Sequence, residues 1–265
     1  MTERYAVIGH PVAHSKSPLI HAEFARATGQ DIEYRRIEAP LDGFRRAVDE
    51  FRAAGGKGLN VTLPFKQEAF RYSGEASARA RAAEAVNTLS FGDVVRGDNT
   101  DGVGLVRDLG GHLHFDVKSS RALVMGAGGA AQGVIGALRE AGVAQLVVAN
   151  RTVEKAQALA ARFPGTRACG YAALGEESFG LIINATSASL VDAAPPLPAS
   201  AFGRAALAYD MVYGRDTPFL AAARAAGART SDGLGMLVEQ AAESFFVWRG
   251  VRPDTATVLR KLRGG

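Results

Sequence analysis

The chain has 265 residues, an apolar fraction of 47% and a formal net charge of +4 from 31 basic and 27 acidic side chains. That length gives room for a sizeable core and two domains, and so mild and dispersed a positive excess fits phosphate or carboxylate ligands rather than nucleic acid. A single cysteine, Cys169, excludes an intrachain disulfide framework and a cysteine-based metal cluster; with no apolar run of membrane-spanning length and no apolar signal core at the amino terminus, a cytoplasmic protein without membrane partner is expected.

In chain order, residues 5–8 read as a strand. Ser17-Pro18 reads as an N-cap and first-turn proline, opening a helix with Ile20, Phe24 and Ala27 on one face and a stop at Gly29. Residues 32–37 form the next strand. Leu41, Phe44, Val48 and Phe51 mark an amphipathic helix ending at Gly55-Gly56. Residues 58–62 are a third strand, Pro64 opens a short helix, and a helix through 76–83 follows. Residues 86–91 and Val94-Val95 are paired strands joined by a turn at Gly92-Asp93. A helix over 102–109 leads into the second half. There, residues 123–152 read strand, glycine turn, helix, strand, and residues 181–184 and 207–211 are further buried strands. Pro195-Pro196-Leu197-Pro198 is an extended surface loop. Residues 234–262 are helical, with Phe245-Phe246 and Trp248 at a join. Strand–helix alternation in both halves predicts an α/β protein with largely parallel sheets. The expected domains are 1–100 with the C-terminal helices 235–265 packed back on it, and 101–234.

The most specific stretch follows Leu123-Val124-Met125. Gly126-Ala127-Gly128-Gly129-Ala130-Ala131 lets backbone approach a pyrophosphate closely, and the following helix offers free N–H groups and a partial positive charge. Ala131 replaces the third glycine of the usual fingerprint. At the end of the second strand, where an acid would bind the ribose 2′-hydroxyl of NAD, the chain has Asn150-Arg151-Thr152 with Lys155 one turn on. These donors and positive charges suit the 2′-phosphate of NADP.

Three polar clusters lie at strand ends or loops of the first half. Ser15 and Ser17, ahead of a helix, can bind a small carboxylate, or Ser17 can simply cap that helix. Asn60 and Thr62 share one face of a strand as it ends, and Lys66 follows close behind, a general acid or base if held in place. Asn87 and Asp101 form the third; Asp101 either caps a helix or pairs with Lys66 and aims it. Together with a nucleotide fold, these suggest a hydroxylated acid oxidised or reduced between two domains. No His/Cys/carboxylate cluster has metal-ligand spacing.

As a set, these motifs resemble the shikimate dehydrogenases. The resemblance runs through Tyr5-Ala6-Val7-Ile8-Gly9-His10-Pro11-Val12-Ala13-His14-Ser15-Lys16-Ser17-Pro18, Asn60-Val61-Thr62-Leu63-Pro64-Phe65-Lys66, Ala85-Val86-Asn87-Thr88 and Asn99-Thr100-Asp101-Gly102. It continues through the glycine loop, Asn150-Arg151-Thr152, Asn184-Ala185-Thr186-Ser187, Tyr209-Asp210-Met211-Val212-Tyr213 and Asp232-Gly233-Leu234-Gly235-Met236-Leu237-Val238-Glu239-Gln240. It implies an N-terminal α/β substrate domain, a Rossmann-type doubly wound NADP-binding domain, and an active site in the cleft between them. It also implies reversible, NADPH-dependent reduction of 3-dehydroshikimate to shikimate, a step towards chorismate and the aromatic amino acids. By the same resemblance Ser15 and Ser17 hold the substrate carboxylate, and Asn60, Thr62, Asn87, Asp101 and Gln240 its ring hydroxyls. Tyr213 joins the substrate group, and Lys66 with Asp101 is the catalytic pair. Asn150, Arg151, Thr152 and Lys155 grip the 2′-phosphate, the residues from Gly126 to Ala130 the pyrophosphate. Met211 and Gly233 line the nicotinamide pocket, and Thr186 and Ser187 the cofactor cleft. Ser189 departs from the family, which often has glycine there. The rival readings are a quinate/shikimate enzyme of relaxed specificity, a folate-linked methylene dehydrogenase, which would leave the Ser15/Ser17 pair unexplained, and a non-catalytic NADP sensor on the same fold. Monomer and homodimer both stay open.

Overall fold

The computed structural model describes residues 2–186 and 196–264. The chain divides into two compact units, Met1–Gly104 with Leu237–Gly265, and Leu105–Met236. In order it forms β1 (Glu3–Gly9), α1 (Ser17–Thr28), β2 (Ile32–Glu38), α2 (Phe44–Ala53), β3 (Gly56–Val61), α3 (Lys66–Tyr72), β4 (Glu75–Ala76), α4 (Ala78–Ala83), β5 (Thr88–Phe91), β6 (Val95–Asp98) and α5 (Asp101–Arg107). It continues as β7 (Arg121–Met125), α6 (Gly129–Glu140), β8 (Gln145–Ala149), α7 (Val153–Ala161), β9 (Thr166–Cys169), β10 (Phe179–Asn184), β11 (Phe202–Asp210), α8 (Pro218–Ala225), β12 (Arg229–Ser231), α9 (Leu234–Arg249) and α10 (Thr255–Leu262).

The first unit's sheet has the order β2-β1-β3-β5-β6-β4. Strand β1 runs parallel to β2 and β3, but β5 is antiparallel to both β3 and β6. The sheet is therefore mixed, not largely parallel. The short turn at Gly92-Asp93 leaves no room for the crossover a parallel neighbour needs, so β6 must return beside β5 in the opposite sense. One core layer packs Ala6, Ile8, Phe44, Val48, Leu59, Phe65 and Leu89. On α1, Phe24 is fully buried and meets Phe245 of α9 edge-on at 5.8 Å. Trp248 stacks on Tyr5 at 4.7 Å and donates Nε1–H to the Leu89 carbonyl at 3.1 Å. Gly58 makes room for that indole, since a Cβ there would lie 2.5 Å from Nε1.

Two local expectations are corrected. The residue capping α1 is Lys16, and Ser17 is its first helical residue with no side-chain cap bond. Helix α9 also runs unbroken through Phe245 and Trp248. Its apolar run is split between faces: Phe245 is 0% exposed, whereas Phe246 and Val247 are 41% and 39% exposed. The break comes at Gly250, which takes the left-handed φ of 67° that a non-glycine resists.

The second unit is a six-stranded sheet in the order β9-β8-β7-β10-β11-β12, parallel throughout. This is the doubly wound Rossmann arrangement, with its order reversing beside β7. Both faces are covered: Val124, Val134, Leu138, Val148 and Ile183 lie in one apolar layer and Leu123, Val147, Ile182, Ala208 and Phe219 in the other. That double burial is why its strands read as continuous apolar runs. Pro196 and Pro198 are exposed, as a surface loop requires, while Pro195 lies outside the described residues. No helix among the described residues is long and apolar enough to cross a membrane.

Candidate active site

In the first unit the three polar clusters converge. Strand β3 delivers Asn60, the turn after it delivers Lys66 at the head of α3, and the stretch before β5 delivers Asn87. Asp101 opens α5, its backbone N–H donating to Asn99 Oδ1 at 3.1 Å. Lys66 Nζ donates to Asp101 Oδ2 at 2.5 Å, with the two side chains only 17% and 7% exposed. Asp101 Oδ1 accepts from Asn87 Nδ2 at 2.9 Å, and the same amide lies 3.2 Å from Gln240 Oε1. Asn87 Oδ1 in turn accepts the Thr100 backbone N–H at 2.8 Å. The carboxylate is thus held by Asn87 on one oxygen and aims one ammonium with the other, an arrangement suited to giving or taking a proton at a fixed point.

Asn60 lies on the same network, donating to Ser244 Oγ at 2.9 Å and the Asn87 carbonyl at 3.2 Å. Ser15 and Ser17 are buried side by side, Ser15 Oγ donating to Ser17 Oγ at 3.2 Å. Arg36 of β2 holds their loop by donating Nε and Nη2 to the Ser15 carbonyl at 3.1 and 2.6 Å. Ser17 makes no cap bond, and its hydroxyl lies instead between Ser15 and the Tyr34 phenol. Thr62 is half-buried just past β3, its backbone N–H donating to the Ile8 carbonyl at 2.9 Å.

Next to this cluster lies a partly buried ionic brace. Arg79 donates Nε and Nη2 to Asp98 at 2.7 and 2.6 Å and Nη1 to Glu243 at 3.0 Å; Arg252 reaches Glu243 at 2.7 Å. Burial raises the Asp98 pKa, but hydrogen bonds from Arg79 and Ser77 outweigh it and hold the carboxyl below its usual value. Asp98 also accepts the Asn99 N–H at 2.7 Å, which fixes the approach to Asp101.

In the second unit the remaining candidates gather at the carboxyl ends of parallel strands, where such sheets bind ligands. Gly126, past β7, has φ 103°, and Gly128 caps α6. Nothing lies within 4 Å of where a Cβ on Gly128 or Gly129 would stand, so the loop is uncrowded at the start of a helix, whose first N–H groups suit a phosphate. Ala127 and Ala130 pack against the apolar layer below, and Ala131 is fully buried. Asn150 donates Nδ2 to the Thr152 carbonyl at 2.8 Å, shaping a turn on which Arg151 and Thr152 stand exposed, with Lys155 exposed at the start of α7. Thr186 donates to Asn184 Oδ1 at 2.7 Å, and Met211 is tied to the end of β10 through the Asn184 carbonyl at 3.0 Å. Gly233 presses on the Met211 backbone so closely that no Cβ fits. These donors and this glycine cradle fit a dinucleotide with a 2′-phosphate. Tyr213 is half-buried just beyond β11. Ser187 and Ser189 lie outside the described residues.

The chain matches three family models in succession: the shikimate dehydrogenase substrate binding domain over residues 7–89, shikimate/quinate 5-dehydrogenase over 109–191, and the shikimate 5′-dehydrogenase C-terminal domain over 233–263. It is 57% identical over 270 residues to the NADP⁺ shikimate dehydrogenase of Aromatoleum aromaticum, covering 98% of this chain and 97% of that one. The chain belongs to the shikimate dehydrogenase family. The corresponding enzyme of Chromobacterium violaceum is 58% identical over 269 residues, with 99% and 98% coverage. Shikimate 5-dehydrogenase from Thermus thermophilus, solved in complex with NADP(H) and shikimate, superposes with a TM-score of 0.89 at 38% identity over 99% of both chains.

Several residues of this family member's first-unit network carry no motif in sequence. Tyr34, Ser244 and Arg79 enter only because β2, α9 and α4 are brought together around the sheet. Tyr34 meets Asn60 across 26 positions and Ser244 meets it across 184. Spacing within a local window cannot register such pairs.

Proposed function

We propose that this protein catalyses the reversible NADPH-dependent reduction of 3-dehydroshikimate to shikimate, with Lys66 as the proton donor. The observation that carries the reading is the Lys66–Asp101 pair at 2.5 Å, tied through Asn87 to Gln240 in one buried network beside the Ser15/Ser17 pair. Ser15 and Ser17 supply hydroxyl donors for the substrate carboxylate. Asn60, Thr62, Asn87, Asp101, Gln240 and Tyr213 make up the group proposed for the ring hydroxyls and the substrate's remaining edge. Lys66 Nζ polarises the ketone and gives its proton as the alkoxide forms; in the reverse direction it takes the hydroxyl proton. Asp101 accepts from Nζ throughout and so keeps the donor aimed. NADPH, when bound, supplies the hydride. Gly126, Ala127, Gly128, Gly129 and Ala130 would hold its pyrophosphate and Asn150, Arg151, Thr152 and Lys155 its 2′-phosphate, with Thr186, Met211 and Gly233 nearer the nicotinamide end.

The test crosses shikimate and quinate with NADP⁺ and NAD⁺ and follows nicotinamide reduction, for wild type and Lys66→Ala. Turnover concentrated on shikimate with NADP⁺ is expected, and the variant should lose about 10²–10⁴-fold in kcat. Comparable use of quinate or NAD⁺ would move the protein to a relaxed-specificity enzyme. Unchanged turnover in Lys66→Ala would remove the lysine from the mechanism, and NADP binding without any turnover would leave a sensor.

A further inference from the structure

Directly beneath Asn60 lies a pair of rings that the reaction does not use. His21 of α1 is 0% exposed, and among the described residues neither ring nitrogen has a hydrogen-bond partner. Its imidazole stacks on Tyr34 of β2 with centroids 4.2 Å apart and planes 5° from parallel. Phe24, Phe245 and Trp248 close the remaining sides at 5.5–6.1 Å. Burial pushes the His21 pKa down to about 3, outweighing the opposing influence of the neighbouring Asn60 side chain, so the platform is uncharged. Burial likewise raises the Tyr34 pKa well above 10, with Ser17 a smaller opposing influence, so the phenol keeps its proton.

That phenol donates to Asn60 Oδ1 at 2.7 Å. At the other end of the amide, Asn60 Nδ2 lies 3.2 Å from the Asn87 carbonyl, which can only accept, and 2.9 Å from Ser244 Oγ. The amide therefore has one orientation: both Nδ2 hydrogens are spent inward, and one Oδ1 lone pair is taken by Tyr34. With its Nδ2 hydrogens spent, Asn60 meets a ligand only through Oδ1, an acceptor. A substrate hydroxyl can donate to it; a carbonyl oxygen cannot.

We propose that Tyr34, seated on His21, is a positioning residue that fixes the polarity of Asn60, so that the site takes a ring hydroxyl there and rejects a group unable to donate. The proposal rests on the reading of the substrate as shikimate. It goes beyond that reading in assigning a discriminating role to a residue outside the motifs.

Tyr34→Phe removes one oxygen and keeps the ring stack. Shikimate KM should rise about tenfold, the worth of one buried hydrogen bond that holds the amide. The value of kcat should stay within about twofold, and KM for NADP⁺ should not move. Analogues each lacking one ring hydroxyl supply the second readout: for one of them, wild type and Tyr34→Phe should have equal KM, because the contact that Tyr34 prepares is already gone. Equal shikimate KM in wild type and variant would overturn the proposal. A fall in kcat at constant KM, or the same tenfold penalty with every analogue, would overturn it as well. Wild-type turnover of shikimate accompanying any of these leaves the reaction standing and removes only Tyr34's role, whereas absence of wild-type turnover removes both.

Discussion

Replacing His21 by phenylalanine should flatten the acid side of the protein's stability profile. In the folded state His21 has a pKa of about 3, against 6.5 for an ordinary histidine. A depressed histidine pKa means that the unfolded chain binds the proton more readily, so stability is fully present above about pH 6.5 and is lost as pH falls towards 3. At about pH 7 the effect is only about 0.2 kcal/mol; at about pH 5 the unfolded histidine is mostly protonated and the folded one is not, a difference of about 2 kcal/mol. The two unpartnered ring nitrogens add a pH-independent cost that phenylalanine also removes. Urea unfolding of wild type and His21→Phe, followed by fluorescence of Trp248 (5.5 Å from His21), measures this directly. The histidines common to both proteins, His10, His14, His112 and His114, cancel in the comparison. The stability of wild type relative to the variant should fall by about 2 kcal/mol between about pH 7 and pH 5. A relative stability constant to within about 0.5 kcal/mol would show that His21 is not held neutral, and the reasoning from burial would fail.

Two further outcomes follow from close packing. Arg79→Met leaves Asp98 and Glu243 without their shared partner; with those side chains 16% and 9% exposed, urea unfolding should show a loss of about 2–4 kcal/mol, and an unchanged midpoint would contradict the brace. Gly104→Ala would place a methyl group 2.7 Å from the Gln240 backbone N and Cβ, so the variant should lose about 1–3 kcal/mol and show a raised shikimate KM, despite alanine's better helix propensity. Wild-type stability and KM would mean that α5 and α9 yield there.

What could be read from the sequence depended on how local the determining contact is. The β7–α6–β8 unit was legible because its glycine turn, helix and flanking strands are contiguous and its strands are apolar on both faces. The mixed first sheet was not, although its deciding turn at Gly92-Asp93 was. Strand–helix alternation points to parallel pairing, and the placement of β5 against both β3 and β6 shows otherwise. Ser17 looked like a cap because a serine before proline at a helix start usually is one; Lys16 instead takes that position, with αR backbone. The 245–248 run looked like a join because four large apolar residues in a row hide helical periodicity. Among the site residues, Lys66, Asn87, Asp101 and Gln240 were named from sequence and lie in one hydrogen-bonded group. Tyr34 and His21 were not, because a tyrosine in a strand and a histidine on an apolar helix face read as ordinary core until their neighbours are known.

The first unit is built from both ends of a chain whose middle belongs to the second. This orders events during synthesis. Residues 105–236 leave the ribosome as one uninterrupted run and have every strand of their sheet in hand by then. Residues 1–104, made earlier, still lack Phe245 against Phe24, Trp248 against Tyr5, and Ser244 against Asn60. At about 5–20 residues per second that wait is on the order of ten seconds. The half of the molecule that is translated first is therefore the half that must finish last.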